Sequence, residues 1–406
     1  MRVLFTSPIL EHPAEGGPQL KVENSIKALA KVSELDIISR DQSIANETCD
    51  AALFFKEYCT EFHVAPIIKN KNLNSRYVRK FKTLLDRVFK RGVVKDSTFI
   101  IDHIDRRNID VLWFGYGNIS FPLIKKIKIR RPHLKVVCDT DSVWSRFVLR
   151  ELPYAKGLRK IKISKSGKKK ELEEKEWVSL CEVTTAVSEV DAEYYRSLAT
   201  DKSRVHVFSN VIDIDSYKSP PPPPEGFKSP SIYLAGSFGH YNSPMDTAAR
   251  WILNEILPLV KKAAPEVHFY IIGRNSEIGF GRLKDPTVTV TGRVDTVLPY
   301  LCNTDVALVP LKFESGTRFK ILEAGACKIP LVSTVLGAEG IPVQDGKHIL
   351  IADEPEEFAN AIIRLLNDRT LASELAENCY QLVQERYSVE ALANEAKKIL
   401  EYLKND

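Results

Sequence analysis

Nowhere in the 406 residues does an apolar run approach the roughly 18 residues that a membrane-crossing helix needs, which excludes a helical membrane span. The opening RVLFTSPIL lacks the longer apolar core of a secretion signal and reads as a first β-strand, so a cytoplasmic location is expected. The seven cysteines, Cys49, Cys59, Cys138, Cys181, Cys302, Cys327 and Cys379, show no CxxC pair and no zinc-like spacing. Reduced thiols are expected, and no structural metal. The histidines show neither HxxxH nor HExxH spacing, and His240 is the one that falls in a candidate ligand loop. A G-x-S-x-G elbow, a P-loop, a G-x-G-x-x-G fingerprint and any short-period repeat are also missing, which removes the hydrolase, P-loop and dinucleotide-binding readings.

What is present is a globular composition, 44% hydrophobic and 27% charged, on a chain long enough for two cores. Short apolar runs alternate with helical patterns, the signature of parallel sheets covered by helices. Strands are expected at 2–7, 34–39, 110–117, 135–140, 183–188 and 205–210, and again at 231–237, 267–273, 288–292, 305–311, 330–334 and 348–352. Between the two series, the five consecutive prolines Pro220 to Pro224 can continue neither strand nor helix. The expected organisation is an N-terminal Rossmann-like domain over 1–212, a proline-rich linker over 213–230, a second Rossmann-like domain over 231–386, and a C-terminal helix over 387–406 returning to the first.

The net charge of +5 is unevenly spread. Residues 1–218 carry 39 Lys and Arg against 29 Asp and Glu, and the remainder carries 19 against 24. The excess is gathered in 69–91, 125–135 and 156–170, which either face an anionic lipid surface or acceptor or are solvated helix faces. Nucleic-acid binding is not expected, because no aromatic interleaving or recognised module accompanies the charge.

The most informative stretch is FESGTRFKILEAGACKIPLVST, Phe313 to Thr334. A small-residue turn at Gly316 and Thr317 follows a predicted strand and precedes a helix expected over about 317–327. Such a helix aims its unpaired N–H groups and its positive end into the crevice where open α/β sheets bind ligands, so an anion belongs there. Arg318 and Lys320 add positive charge at an end where cations are otherwise disfavoured, an arrangement that suits a diphosphate. Glu323, a turn further on, is placed to accept both hydroxyls of a ribose. A surface helix with a Lys320–Glu323 pair is the plainer alternative.

GTRFKILEAGACKIPLVSTVLGAEGI resembles the donor-binding signature of retaining glycosyltransferases of family 4, the group 1 glycosyl transferases. IYLAGSFGHYNSPMDTAARWILNEILP, VTVTGRVDTVLPYLCNTDVALVP and VHVFSNVIDIDSY are similar to other parts of that family, in its order. The resemblance implies an α/β fold of GT-B architecture, with two Rossmann-like domains facing a central cleft. It further implies that Glu323 binds the donor ribose, that Arg293 and Val294 hold the base, and that Lys320, Arg318, Gly316 and Thr317 bind the diphosphate. Gly16 and Gly17 would approach the donor phosphates from the first domain, and Ser237 would touch the donor from the GSFGHYNSP loop.

The chain departs from that pattern at three points. Ser315 stands where the first Glu of E-x7-E is expected, with Glu314 one residue earlier; the GSFGHYNSP loop lacks the usual Arg and downstream Lys; and Asp141 stands where a His near the reacting sugar is common. Asp139-Thr-Asp141 also forms a DxD string, but metal binding through it belongs to single-sheet enzymes, and Asp213-Ile-Asp215 repeats the string beside the linker.

The expected activity is transfer of a hexose-type sugar from a UDP- or GDP-sugar to a glycan, lipid-linked or polysaccharide-precursor acceptor, with retention. The nucleotide sugar is a co-substrate, and no cofactor or metal is expected. Lys320, Arg318 and Asp141 are the expected catalytic groups, with peripheral contact to the inner face of an anionic membrane. A non-hydrolysing sugar-nucleotide epimerase and a non-catalytic nucleotide-sugar-binding subunit are the alternatives.

Overall fold

Among the described residues, thirteen short strands, rich in Val, Ile, Leu and aromatic residues, form two wholly parallel sheets in a computed structural model of the chain. The structure describes residues 1–406 apart from 15, 42, 45, 67–90, 240–242, 315–317 and 406, and at 91–94 only the helical backbone. The basic stretch 69–91 therefore lies almost wholly outside the described residues.

The first sheet contains β1 (Arg2–Ser7), β2 (Glu34–Ser39), β3 (Glu61–Val64), β4 (Val111–Phe114), β5 (Lys135–Asp139), β6 (Val183–Ala186) and β7 (Val205–Val207), in the order β3-β2-β1-β4-β5-β6-β7. Val3 pairs with Leu35 on one side and Val111 on the other. All four residues of β4 are buried, as expected of a parallel strand covered on both faces. The second sheet contains β8 (Ser231–Ala235), β9 (His268–Ile272), β10 (Val288–Val290), β11 (Val306–Val309), β12 (Leu331–Ser333) and β13 (Leu350–Ile351), in the order β10-β9-β8-β11-β12-β13.

Every expected strand is present, although most end earlier than expected. After β4, for example, Tyr116 turns into the left-handed region at φ 60°, and the ladder stops at Phe114. The edge strand β3 escaped sequence analysis. Its four residues, EFHV, include one buried side chain, Phe62, which is too little alternation to register as a pattern.

The chain divides into two compact units. One comprises Met1–Val143, Lys168–Asn210 and Val389–Asp406; the other comprises Trp144–Gly167 and Val211–Ser388. Residues 144–167 thus cluster with the second unit although they precede the proline-rich segment in the chain. Within the first unit the C-terminal helix Val389–Asn405 packs on helix Gly17–Ala30. There Glu395 accepts from Ser209 N and Oγ at 2.7 and 2.9 Å.

The first unit is pinned by a buried ion pair. Lys21 Nζ lies 3.1 Å from Asp139 Oδ1, with the side chains 2% and 1% exposed. Asp139 also accepts from Thr185 Oγ1 at 2.7 Å and Trp113 Nε1 at 3.4 Å, while Lys21 donates to Phe208 O at 3.2 Å. The first carboxylate of the DxD string is therefore engaged in the core. Removing one member of such a pair strands the other charge in a low-dielectric interior, at a cost of about 3–5 kcal/mol. Asp139→Asn should lower stability by that order in denaturant unfolding, whereas the double change Lys21→Met with Asp139→Leu should cost less than Asp139→Asn alone.

Candidate functional site

Both sheet orders reverse direction once, between β1 and β4 and between β8 and β11. In open α/β sheets such a switch point leaves a crevice beyond the carboxyl ends of the two strands, because their crossovers run to opposite faces. In the second unit, the loops that follow β8 and β11 carry Ser237 and the Phe313–Lys320 stretch.

The loop after β8 is held in place by its neighbours. Gly236 N donates to Ile272 O at 2.9 Å and Phe238 N to Arg274 O at 2.8 Å. Gly273, at φ 123°, permits this approach, since a Cβ there would lie 2.0 Å from Gly236 O. Phe238 is buried against Phe280, which leaves Ser237 exposed at the turn. The turn after β10 joins the same set, with Gly273 N donating to Gly292 O and Gly292 N to Ser276 Oγ, both at 3.0 Å. Arg293 follows with an exposed side chain, and Val294 is half-buried.

The helix after β11 runs Phe319–Ala326, two residues shorter at its start than sequence analysis expected. Arg318 occupies the cap position with extended backbone, φ −90° and ψ 103°, instead of the first turn. Its side chain is 5% exposed, with Nε 3.5 Å from Glu314 Oε2, so local ion pairing draws it toward the preceding loop. Lys320 lies in the first turn and is half-buried. Ser315, Gly316 and Thr317, like His240, lie outside the described residues.

Glu323 is the electrostatic centre of this group. Burial pushes its carboxyl above the ordinary range, and Lys320 and a hydrogen bond from Tyr217 offset that only in part. The Tyr217 hydroxyl donates to Glu323 Oε1 at 3.4 Å. Burial and the neighbouring Glu323 also push the Tyr217 and Tyr233 phenols upward. An acceptor held in such surroundings pairs well with neutral hydroxyl donors.

One contributor carried no signal in the sequence. Arg150, which follows helix Trp144–Leu149, donates from Nη1 to Glu314 O at 2.7 Å and to Glu339 Oε2 at 2.5 Å, and from Nη2 to Glu339 Oε1 at 2.8 Å. Its fork ties the loop after β11 to the turn after β12. Burial acts to raise the Glu339 carboxyl, but Arg150, with Arg146 and Arg318, more than offsets it and holds the group below its ordinary range. Tyr154 adds a second tie, its hydroxyl 3.3 Å from Lys312 O and its ring 5.0 Å from that of Phe313. These partners are more than 150 positions apart, beyond the reach of any spacing rule.

In the first unit, Gly16 and Gly17 open helix Gly17–Ala30 just after β1, with Gly16 extended and Pro18 in the first turn. Asp141 lies two residues beyond β5 and accepts from Asn118 Nδ2 at 2.6 Å. Burial, together with Asp141, raises the neighbouring Tyr116 phenol.

Comparison with known proteins matches this geometry to a fold class and a domain family. The chain shares its fold with sucrose-phosphate synthase of Thermosynechococcus elongatus, at TM-score 0.70 and 15% identity over 100% of both chains. It also shares it with Anabaena HepE solved with UDP-glucose, at TM-score 0.64 and 12% identity over 100% of both. A third match is TarM, at TM-score 0.67 and 13% identity over 99% of this chain and 98% of TarM. The fold is that of the GT-B class, with two Rossmann-like parallel-sheet domains. Residues 230–368, within the second unit, match the family model described as glycosyl transferases group 1. A curated relative, an uncharacterized 44.6 kDa protein in the cps region of Klebsiella pneumoniae, is 26% identical over 147 residues. The match spans 34% of this chain and 38% of that relative, little more than a third of its length.

The raised Glu323 carboxyl makes a signed prediction. A group whose folded-state pKa lies above the ordinary 4.5 contributes stability below that value and loses it as pH rises through the folded value. At pH 7 the half-buried Glu323 therefore ionises less readily in the folded protein than in the unfolded chain, which costs stability, and Glu323→Gln should raise the melting temperature. The gain should vanish near pH 4, and a thermal shift series across that interval reads it; an equal or lower melting temperature at pH 7 would contradict the assignment.

Proposed function

We propose that the chain is a glycosyltransferase that moves a hexose-type sugar from a UDP- or GDP-sugar to a lipid-linked or polysaccharide-precursor acceptor, with retention of anomeric configuration. The observation that carries this reading is the helix Phe319–Ala326, which starts beside the β8/β11 switch point with Lys320 in its first turn and a partly buried Glu323 one turn on. A ribose diol on Glu323 would place the attached diphosphate toward Lys320 and Arg318, and the resemblance adds Ser315, Gly316 and Thr317 to the donor contacts. Arg293 and Val294 would border the base, and Ser237 the sugar or phosphates. In the first unit, the resemblance assigns Gly16 and Gly17 to the donor phosphates and Asp141 to the reacting sugar.

The chemistry follows from charge. As the glycosidic bond to the nucleotide breaks, negative charge develops on the departing diphosphate, and positive groups already aimed at it lower the barrier without reorganising. Lys320, Arg318 and the helix N-terminus supply that charge, so no divalent cation is required to bridge the phosphates. The match to group 1 glycosyl transferases supports the reaction class, and the UDP-glucose in HepE supports a nucleotide-sugar donor. A structure of Staphylococcus aureus TarM with UDP and alpha-GlcNAc-glycerol supports a glycan-type acceptor, as does the cps-region setting of the Klebsiella relative.

Lys320→Ala should lower kcat/KM by about 100-fold, the scale of losing one group that stabilises a developing anion, and Glu323→Ala should weaken donor binding by removing the acceptor of the ribose hydroxyls. Both variants should keep a cooperative melt. Calorimetry with UDP- and GDP-sugars, and turnover with and without added Mg²⁺ or Mn²⁺, measure it. Donor binding equal to the parent in both variants would mean that the site lies elsewhere.

The acceptor reading extends to a membrane surface at the cytoplasmic face. In the 125–135 cluster, the charges of Lys125, Lys128 and Arg131 are paired with Glu176, Glu182 and Asp105. The helix Gly157–Leu180 differs, because Leu158 and Ile161 are 77% and 53% exposed among the exposed Lys160, Lys162, Lys165, Lys168 and Lys169. Apolar side chains flanked by lysines suit the boundary of an anionic bilayer, where each lysine contributes about 1 kcal/mol. The parent should co-sediment with anionic vesicles at low salt and not with neutral ones. Leu158→Ser with Ile161→Ser, or the five lysines changed to Gln, should reduce pelleting about tenfold; equal pelleting on both lipids would argue for a soluble acceptor.

A further inference from the structure

In the first unit, far along the chain from any residue assigned to the donor, three metal-ligating side chains converge on one point. Glu61 and His63 project from the edge strand β3, and His103 projects from the helix Arg91–Arg107. One ligand atom from each lies within 4.8 Å of the other two. We propose that Glu61, His63 and His103 form a zinc site.

Three observations support it. First, the three acceptors face one another across a point now occupied by a cation. Arg106 Nη2 lies 2.7 Å from Glu61 Oε2, 3.0 Å from His103 Nδ1 and 3.5 Å from His63 Nε2. That nitrogen has two hydrogens for three acceptors, so the guanidinium serves the set incompletely. Its side chain is 56% exposed and can withdraw into water at small cost.

Second, each imidazole is backed by a carboxylate on its remote nitrogen. His103 Nε2 is 2.9 Å from Asp36 Oδ2, and His63 Nδ1 is 3.2 Å from Glu47 Oε1. A carboxylate at that place fixes the tautomer, turns the other nitrogen's lone pair toward the centre and makes it a better ligand, as around zinc-bound histidines. Third, His63 Nε2 and Glu61 Oε2 approach to 3.1 Å. That separation is compatible with two ligand atoms on one ion, since atoms bound to a tetrahedral zinc at about 2.1 Å lie about 3.4 Å apart.

Two imidazoles and one carboxylate are a zinc-type donor set, leaving a fourth position for water or solvent; magnesium and calcium favour oxygen ligands alone. Arg107 remains to balance charge, with Nε 3.3 Å from Glu61 Oε1 and 3.1 Å from Asp36 Oδ2. The site would staple the edge strand β3 to the helix Arg91–Arg107 that covers it.

The test uses the full chain stripped with a chelator and titrated with Zn²⁺ against a chromophoric competitor, with Mg²⁺ as control. The parent should bind one zinc at this site and no magnesium. His63→Gln should weaken zinc binding at least tenfold while the melting temperature of the metal-free protein stays within a few degrees of the parent. Arg106→Gln should tighten it about tenfold, because the competing cation is gone. Absence of zinc binding by the parent would overturn the proposal, even if Arg106→Gln binds. So would zinc binding that His63→Gln leaves unchanged, which would place the ion elsewhere, for example at the Cys302 and Cys327 thiols 3.3 Å apart. Turnover does not enter the measurement, so its outcome is independent of the donor-site reading.

Discussion

A parallel ladder imposes a constraint from which the site follows. Each strand must return to the same edge before the next begins, so every strand ends at one side of the sheet and every loop leaving it opens there. In the second unit that edge collects Gly236 to Phe238 after β8, Gly273 and Arg274 after β9, Gly292 and Arg293 after β10, Glu314 and Arg318 after β11, and Glu339 after β12. None of these segments needs affinity for another in sequence. They meet because the backbone hydrogen bonding of β8 to β12 leaves them no other direction.

What the loops do with that proximity is decided by polar satisfaction. Phe238 N finds Arg274 O, Gly273 N finds Gly292 O, and Arg150 uses both arms of its guanidinium on Glu339 while reaching Glu314 O. A bidentate guanidinium between two loops is stiff where a lysine would be a point charge on a flexible stem. Phe313 and Glu314 are thus held from behind by Tyr154 and Arg150.

One carboxylate in each unit is treated differently. In the first, Lys21 and Asp139 neutralise one another, and Thr185, Trp113 and Phe208 satisfy what remains. In the second, Glu323 has one weak donor, Tyr217, and a neighbouring lysine, and its carboxyl is held above the ordinary range. A closed ion pair is a structural solution, whereas a carboxylate whose hydrogen bond from Tyr217 is long keeps acceptor capacity. Asp139 and Asp141 illustrate the same contrast two residues apart: the first is locked in the core, and the second stands beyond the strand with Asn118 as a hydrogen-bond partner.

Much of this was legible from local pattern. Alternating apolar runs and helical periodicities marked twelve of the thirteen strands, because a strand buried on both faces has no choice but to be apolar. The five prolines marked the break between the two strand series, since proline lacks an amide hydrogen. The placement of Lys320 in the first turn of a helix and of Glu323 one turn on also followed from sequence, because a helix behind a parallel strand starts at the carboxyl end of that strand. Tertiary structure alone decided the rest. Strand β3 was too short and too polar to announce itself, and pairing with β2 is what makes it a strand. Residues 144–167 cluster with the second unit through contacts such as Arg150 with Glu339, 189 positions apart. Arg318 left the first turn because Glu314 drew it back. Glu61, His63 and His103 follow no metal-ligand spacing in the chain; a helix laid across an edge strand brings them to one point, and no linear rule contains that distance.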